Sequence, residues 1–233
     1  MSRPLQPLRD WLGALPEVIL LDLDGTLVDS AADIALSLNR ALADLALPAV
    51  SEAQVRDWVG RGASRLIEVC LTHVVPHHAG NPHRHEAETR LLDAFMARYQ
   101  ASVCEASTVY PGVEDFLAAC HEAGIPLAVV TNKPYRPAVA LLQALDLLDA
   151  FDLVIGGDTL AHKKPHPEPL QHALRHFDVA PAKALMVGDS RNDIEAARAA
   201  GVPVLALPYG YNHGEPVADC APDRLVASLA DML

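Results

Sequence analysis

Apolar residues concentrate in five short runs, at 18–22, 127–131, 153–155, 185–187 and 204–207. Each is dominated by Val, Ile, Leu, Ala or Met without polar alternation, which predicts strands buried on both faces of a parallel sheet. Stretches of helical periodicity separate the last four runs. A helical stretch at 112–123, just before the second run, stops at Gly124, and one at 191–200, between the fourth and fifth, stops at Gly201; glycine is the favoured residue just past a helix end. This β-α-β-α rhythm predicts an α/β fold with a doubly wound parallel sheet.

The chain between the first two runs breaks the rhythm. It holds no comparable strand and reads as helices at 31–45 after Ser30, 52–58 after Ser51, 63–72 and 84–101. A crossover so long and so helical is better explained as an inserted subdomain than as a loop. The expected organisation is therefore a core made of 17–29 and 108–233, an all-helical insert at 30–107, and an N-terminal extension at 1–16.

Composition narrows the classes. With 233 residues and 51% hydrophobic content, the chain can bury a substantial core. No apolar run approaches the roughly 20 residues needed to cross a bilayer. The first 16 residues carry Arg3, Arg9, Asp10 and three prolines and lack the apolar stretch of a secretory signal, so a cytoplasmic location is expected. Cys70, Cys104, Cys120 and Cys220 form no C-x-x-C pair and are expected to be reduced and mostly buried. A net charge of −12, from 18 Lys+Arg against 30 Asp+Glu, argues against nucleic acid or an anionic membrane as partner. It leaves room for a small anionic substrate, because local cations decide such binding once distant charges are screened.

The chemistry-bearing residues stand where the apolar runs end. Asp22-Leu23-Asp24-Gly25-Thr26 closes the first run, and two carboxylates buried there call for a cation or a proton. Thr131-Asn132-Lys133 closes the second. Lys163-Lys164-Pro165-His166-Pro167 follows the third, and Gly188-Asp189-Ser190-Arg191-Asn192-Asp193 closes the fourth. In open α/β sheets, ligands bind at these strand ends.

Taken in order, the four sets resemble the haloacid dehalogenase superfamily of aspartate-nucleophile phosphohydrolases, from Val18 to the end of the chain. The resemblance implies a Rossmann-like core, a helical cap in the place of the insert, and a Mg²⁺-dependent phosphomonoesterase. It implies that Asp22 attacks phosphorus to give an aspartyl-phosphate and that Asp24 is general acid and then general base. It further implies that Thr131, Asn132, Lys164 and the Gly25 backbone meet the phosphate. Asp22, Asp189, Asp193 and the Asp24 carbonyl would serve the metal. A phosphate nearing a carboxylate is repelled by about 4 kcal/mol per charge pair at 4 Å and effective dielectric 20, hence the need for cations. Of the two adjacent lysines, Lys164 matches the family's Lys-Pro pattern, and Lys163 is left to solvent. His166 stands where relatives often have Asp.

Within the superfamily, Trp58-Val59-Gly60-Arg61-Gly62-Ala63 looks like the specificity loop of bacterial phosphoglycolate phosphatases, with Arg61 reaching a substrate carboxylate. The segments at 156–159 and 209–215 resemble the same subgroup. Other small phosphomonoesters, such as a sugar phosphate or pyridoxal phosphate, are alternatives, as is a β-phosphoglucomutase-like mutase. A dehalogenase would have no use for Asp24, and a phosphonate hydrolase needs a cap lysine, whereas the first lysine here is Lys133. A receiver-like phospho-Asp signalling domain would lack the insert. Asp29 and Ser30 are expected to cap the first insert helix. The run of five histidines, His73, His77, His78, His83 and His85, reads as a surface turn rather than a metal site, beside Pro76, Gly80 and Pro82. His172 and His176 read as surface as well. The oligomeric expectation is a monomer or a homodimer.

Overall fold

The computed structural model describes residues 5–76 and 83–233. In chain order its elements are α1 (Gln6–Leu12), β1 (Val18–Leu21), β2 (Val28–Asp29), α2 (Ala31–Asp44), α3 (Glu52–Trp58), α4 (Ala63–Val74) and α5 (Arg84–Ala101). They continue as β3 (Thr108–Val109), α6 (Val113–Glu122), β4 (Leu127–Val130), α7 (Tyr135–Ala144), β5 (Leu153–Ile155) and α8 (Glu168–Phe177). The last are β6 (Ala184–Gly188), α9 (Arg191–Ala200), β7 (Val204–Ala206) and β8 (Arg224–Leu225).

Six strands form one parallel sheet in the order β5-β4-β1-β6-β7-β8. The five apolar runs became its first five strands, and a two-residue edge strand, β8, adds a sixth. Side-chain alternation splits the core into two layers. Ile19 and Leu21 face a layer with Phe116 of α6 and Leu141 of α7, while Val18 and Leu20 face Leu170 of α8 and Ile194 of α9. Both faces are covered, so the strands need no polar positions. Within the described part of the N-terminal extension, Leu5 and Leu8 are fully buried in the first layer.

Helices α2 to α5 form a separate apolar cluster around Leu38, Leu42, Ile67, Leu91 and Phe95. The chain enters and leaves this helical cap side by side, because β2 and β3 pair antiparallel with Val28 opposite Val109. Two-residue strands carry no periodic signal, and sequence reading missed this pair. Asp33, buried in α2, strengthens the junction by accepting from the backbone N–H groups of Glu105, Ala106 and Ser107.

Two caps were anticipated, with different outcomes. Ser51 makes a reciprocal capping box with Gln54 at the start of α3. The Ser30 side chain does not cap α2. The N–H groups of Ser30 and Ala31 go instead to the Tyr211 hydroxyl, at 3.0 and 3.1 Å. That frees the Ser30 hydroxyl to donate to Asp24.

Candidate active site

The loops after β1, β4 and β6 meet at one end of the sheet. From β1 the core continues towards β4 on one side, and from β6 towards β7 on the other, so the connections diverge and leave a crevice. Asp22 directly follows β1, and its N–H still donates to Val187 O at 3.0 Å. The chain then reverses sharply: the N–H groups of Leu27 and Val28 both reach Leu23 O, and Gly25 takes φ +91°. Only glycine fits that turn, since a Cβ at Gly25 would lie 2.3 Å from an Asp189 carboxylate oxygen.

Asp22, Asp189, Asp193 and Lys164 form one half of the site, all buried. Lys164 Nζ lies 3.0 Å from Asp22 and 2.6 Å from Asp193. Asp193 accepts with its other oxygen from the N–H of Ser190 and the Ser190 hydroxyl, so its position at the start of α9 also orients Lys164. Asp189 accepts from the Thr26 hydroxyl and, at 2.6 Å, from the Tyr211 N–H. Burial pushes the Asp22 carboxyl up to about 6 in spite of Lys164. Burial, then the charges of Asp193 and Asp22, hold Asp189 well above the usual carboxylate range. Burial alone would lower the Lys164 ammonium, but Asp193 and Asp22 raise it.

Fully ionised, three carboxylates against one ammonium would leave this half two charges negative, and burial resists that state in the absence of a cation. Oxygens of Asp22, Asp189 and Asp193 can all lie within 4.8 Å of one another. Hard oxygen donors with an unbalanced double negative charge fit a hard divalent cation. The Asp24 carboxylate stands outside this group.

Asp24 belongs to the second half. Lys133 Nζ donates to its two oxygens at 2.9 and 3.1 Å, and the Ser30 hydroxyl donates as well. The ammonium also sits 4.6 Å from the centre of the Tyr99 ring, a cation–π contact. Burial works against the Lys133 charge, yet Asp24 and then Tyr99 carry its pKa above the ordinary lysine value. A small cavity of about 50 Å³ opens between this pair and the cap. Its polar lining is Asp22, Asp24, Thr131, Asn132 and Lys133, and its far wall is apolar, with Val59, Leu66, Phe95 and Met96.

The structure changes the reading of several sequence candidates. Arg61 is exposed and does not line the cavity, so the specificity-loop cation is not brought to the site. What the loop presents inward is backbone. Gly60 O accepts from the side-chain amides of Asn132 and Asn192, at 2.9 and 3.1 Å, and Arg61 O accepts from Lys163 Nζ at 2.7 Å. Lys163 is therefore a half-buried tie between core and cap rather than a solvated residue. Asn132 lines the cavity, but its amide N–H groups are committed to Gly60 O and Lys164 O rather than open to a phosphate. Thr131 lines the cavity, and its hydroxyl accepts from the Lys133 N–H at 3.2 Å.

Sequence reading missed Lys133, Tyr99 and Tyr211 as site residues. Lys133 ends the Thr131-Asn132-Lys133 segment at the close of the second run, and that place was the one signal available. Tyr211 donates to Asp29, takes the two N–H groups at the start of α2, and stacks under Arg56, whose guanidinium is 5.4 Å from the ring centre. Burial opposes the Asp29 charge, but Arg56 and Tyr211 hold its carboxyl below the usual value.

Of the histidine run, His77 and His78 lie outside the described residues. His73 sits on α4, 2.7 Å from the Gln54 amide nitrogen. A second group of donor atoms, His162, His166 and Glu168, lies on the surface beside Lys163. The four cysteines are unpaired, and three of them are buried.

Comparison with known proteins places this geometry. A family profile for haloacid dehalogenase-like hydrolases matches residues 19–207. The chain is 44% identical to a phosphoglycolate phosphatase of Nitrosococcus oceani over 220 residues, covering 93% of this chain and 95% of that one. It is 43% identical to a phosphoglycolate phosphatase of Escherichia coli K12 over 227 residues, 92% of this chain and 90% of that one. It also superposes with a TM-score of 0.87 on the crystal structure of a predicted phosphoglycolate phosphatase from Haemophilus somnus 129pt. That match has 38% identity and covers 93% of this chain and 96% of the other.

Proposed function

The chain belongs to the haloacid dehalogenase-like hydrolases, and from that premise we propose that it hydrolyses 2-phosphoglycolate to glycolate and phosphate through an aspartyl-phosphate on Asp22. The observation that carries this reading is the division of labour between two acids two residues apart. Asp22 is held by Lys164 beside two further carboxylates, and Asp24 is held by Lys133 in the lining of a small cavity. Relatives at 43% and 44% identity bear the name of that activity.

Asp22, Asp189 and Asp193 would hold Mg²⁺, with the Asp24 carbonyl completing the set. Bound there, the ion supplies positive charge to the phosphoryl oxygens and keeps Asp22 ionised. Lys164 neutralises a further phosphoryl oxygen, and Thr131 donates its hydroxyl to another. A carboxylate oxygen of Asp22 bonds to phosphorus as the bond to the leaving oxygen breaks. Asp24 gives its proton to that oxygen, releasing glycolate. The same carboxylate then takes a proton from water as the water oxygen bonds to phosphorus. The bond from phosphorus to Asp22 breaks, and phosphate leaves.

The cap, tied to the core through Gly60 O and Arg61 O, excludes bulk water from both steps. The small cavity favours a leaving group of few atoms over a sugar or pyridoxal, and its apolar wall offers no row of hydroxyl partners for a mutase substrate. The enzyme works in the cytoplasm as a monomer or homodimer, without nucleic-acid or membrane partners.

The test is phosphate release from a phosphomonoester panel with Mg²⁺, followed by rapid-quench ³²P labelling. The expected result is turnover led by 2-phosphoglycolate, with label on Asp22. Turnover with no label on Asp22 refutes the mechanism, and a preference for a larger phosphomonoester refutes the substrate.

A further inference from the structure

Arg61 is exposed and does not line the cavity, so a carboxylate on the leaving group needs another cation. Cations are few there. Lys164 sits between Asp22 and Asp193 on the phosphoryl side and does not line the cavity, and Lys163 is tied to Arg61 O. Among the described residues lining the cavity, the remaining cation is Lys133. It is almost fully buried, and a buried ammonium is retained only against a strong electrostatic return. Its protein partners are one carboxylate and the face of one aromatic ring. An ammonium has three donors, so Lys133 keeps capacity for another acceptor.

Position matters as much as charge. To serve the leaving oxygen, Asp24 must lie within hydrogen-bond reach of it. In 2-phosphoglycolate one methylene separates that oxygen from the carboxylate, whose oxygens therefore lie about 2.7–3.6 Å away by ordinary bond lengths. Lys133 Nζ is 2.9 Å from Asp24 and lines the same cavity, so a leaving oxygen held by Asp24 would bring a neighbouring carboxylate within its reach. A two-carbon acid puts its charge at that distance; a longer leaving group carries its charge past it, towards the apolar wall of Leu66, Phe95 and Met96.

We propose that Lys133, seated on the Tyr99 ring and shared with Asp24, is the specificity-determining cation that reads the carboxylate of a short phosphorylated hydroxy acid. The proposal rests on the substrate reading above and replaces Arg61 in it.

The experiment compares kcat/KM for 2-phosphoglycolate and for ethyl phosphate, which has methyl in place of carboxylate, in the Mg²⁺-loaded wild type and in Lys133→Met, Lys133→Gln and Arg61→Ala. Both Lys133 variants slow turnover of both substrates, because Asp24 loses its partner; the readout is the ratio. The wild-type preference for 2-phosphoglycolate is expected to fall by about tenfold to a hundredfold in both Lys133 variants, as for loss of one charge-assisted hydrogen bond. The loss should lie mainly in KM, and Arg61→Ala should keep the ratio. Residual turnover of ethyl phosphate shows that a variant is folded, and the Gln substitution serves if Met does not fold. A preference that survives in both Lys133 variants, or that disappears in Arg61→Ala instead, overturns the assignment alone. A wild type that hydrolyses phosphomonoesters with no preference for the carboxylate overturns the substrate reading and this assignment together.

Discussion

Asp22→Asn should make the metal-free protein more resistant to unfolding at neutral pH while ending catalysis. Asp22 is buried beside Asp193 and Lys164, and its carboxyl is pushed from 3.8 up to about 6, with burial as the largest cause. Below 3.8 the carboxyl is protonated in both folded and unfolded chains and adds nothing. Between 3.8 and about 6 the unfolded chain ionises more readily, so stability falls as pH rises, and above about 6 the full penalty is present. At about 1.4 kcal/mol per pH unit, the gap amounts to about 3 kcal/mol. An asparagine at this position can still accept from Lys164 and from the Leu23 N–H, so the two main contacts persist without the charge. The assay is urea unfolding of both proteins in EDTA from pH 4 to pH 8. The difference in unfolding free energy should move by about 3 kcal/mol in favour of the variant as pH rises through that window. Parallel pH profiles would show that the buried charge carries no such cost and refute the argument.

Four further outcomes follow from the same geometry. Removing divalent cations with EDTA should stop turnover, and added Mg²⁺ should raise the melting temperature more at pH 8 than at pH 5, where Asp22 is largely protonated; equal shifts would count against Asp22 as a ligand. Asp24→Asn should bind Mg²⁺ with little change by calorimetry yet lose most of the rate, since its carboxylate stands apart from the acidic cluster. Gly210→Ala should abolish Mg²⁺ binding with the fold retained by circular dichroism, because the added Cβ would lie 2.2 Å from an Asp189 oxygen. Tyr211→Phe strands the N–H groups of Ser30 and Ala31 and should cost about 1–3 kcal/mol in denaturant unfolding, with a rise in KM as the cap loosens.

How much of this was legible in the sequence depends on the range of the interaction concerned. The buried strands were readable because a strand covered on both faces needs an unbroken apolar run, and β5 coincides with its run, 153–155. Helices α3, α5 and α9 begin and end where periodicity and punctuation place them, Gly201 included, since those signals act within a few residues. The strand-end acids and Lys164 were visible for the same reason, as short motifs at run ends. Length alone hid β2, β3 and β8: two-residue strands have no period.

The chain by itself fixed which residues are available to do chemistry and at which strand ends they emerge. Tertiary structure decided which of them meet. Lys133 was passed over because its partner Asp24 is 109 positions away, and Tyr211 because the N–H groups it serves are 180 and 181 positions away. Arg61 stands in a loop that does touch the core, but no local rule tells whether that loop offers its side chain or its carbonyls. Three core residues, Asn132, Asn192 and Lys163, settle it by donating to the Gly60 and Arg61 carbonyls. Buried donors must find acceptors wherever the fold supplies them, and which acceptors lie close is a property of the folded chain rather than of neighbours in sequence.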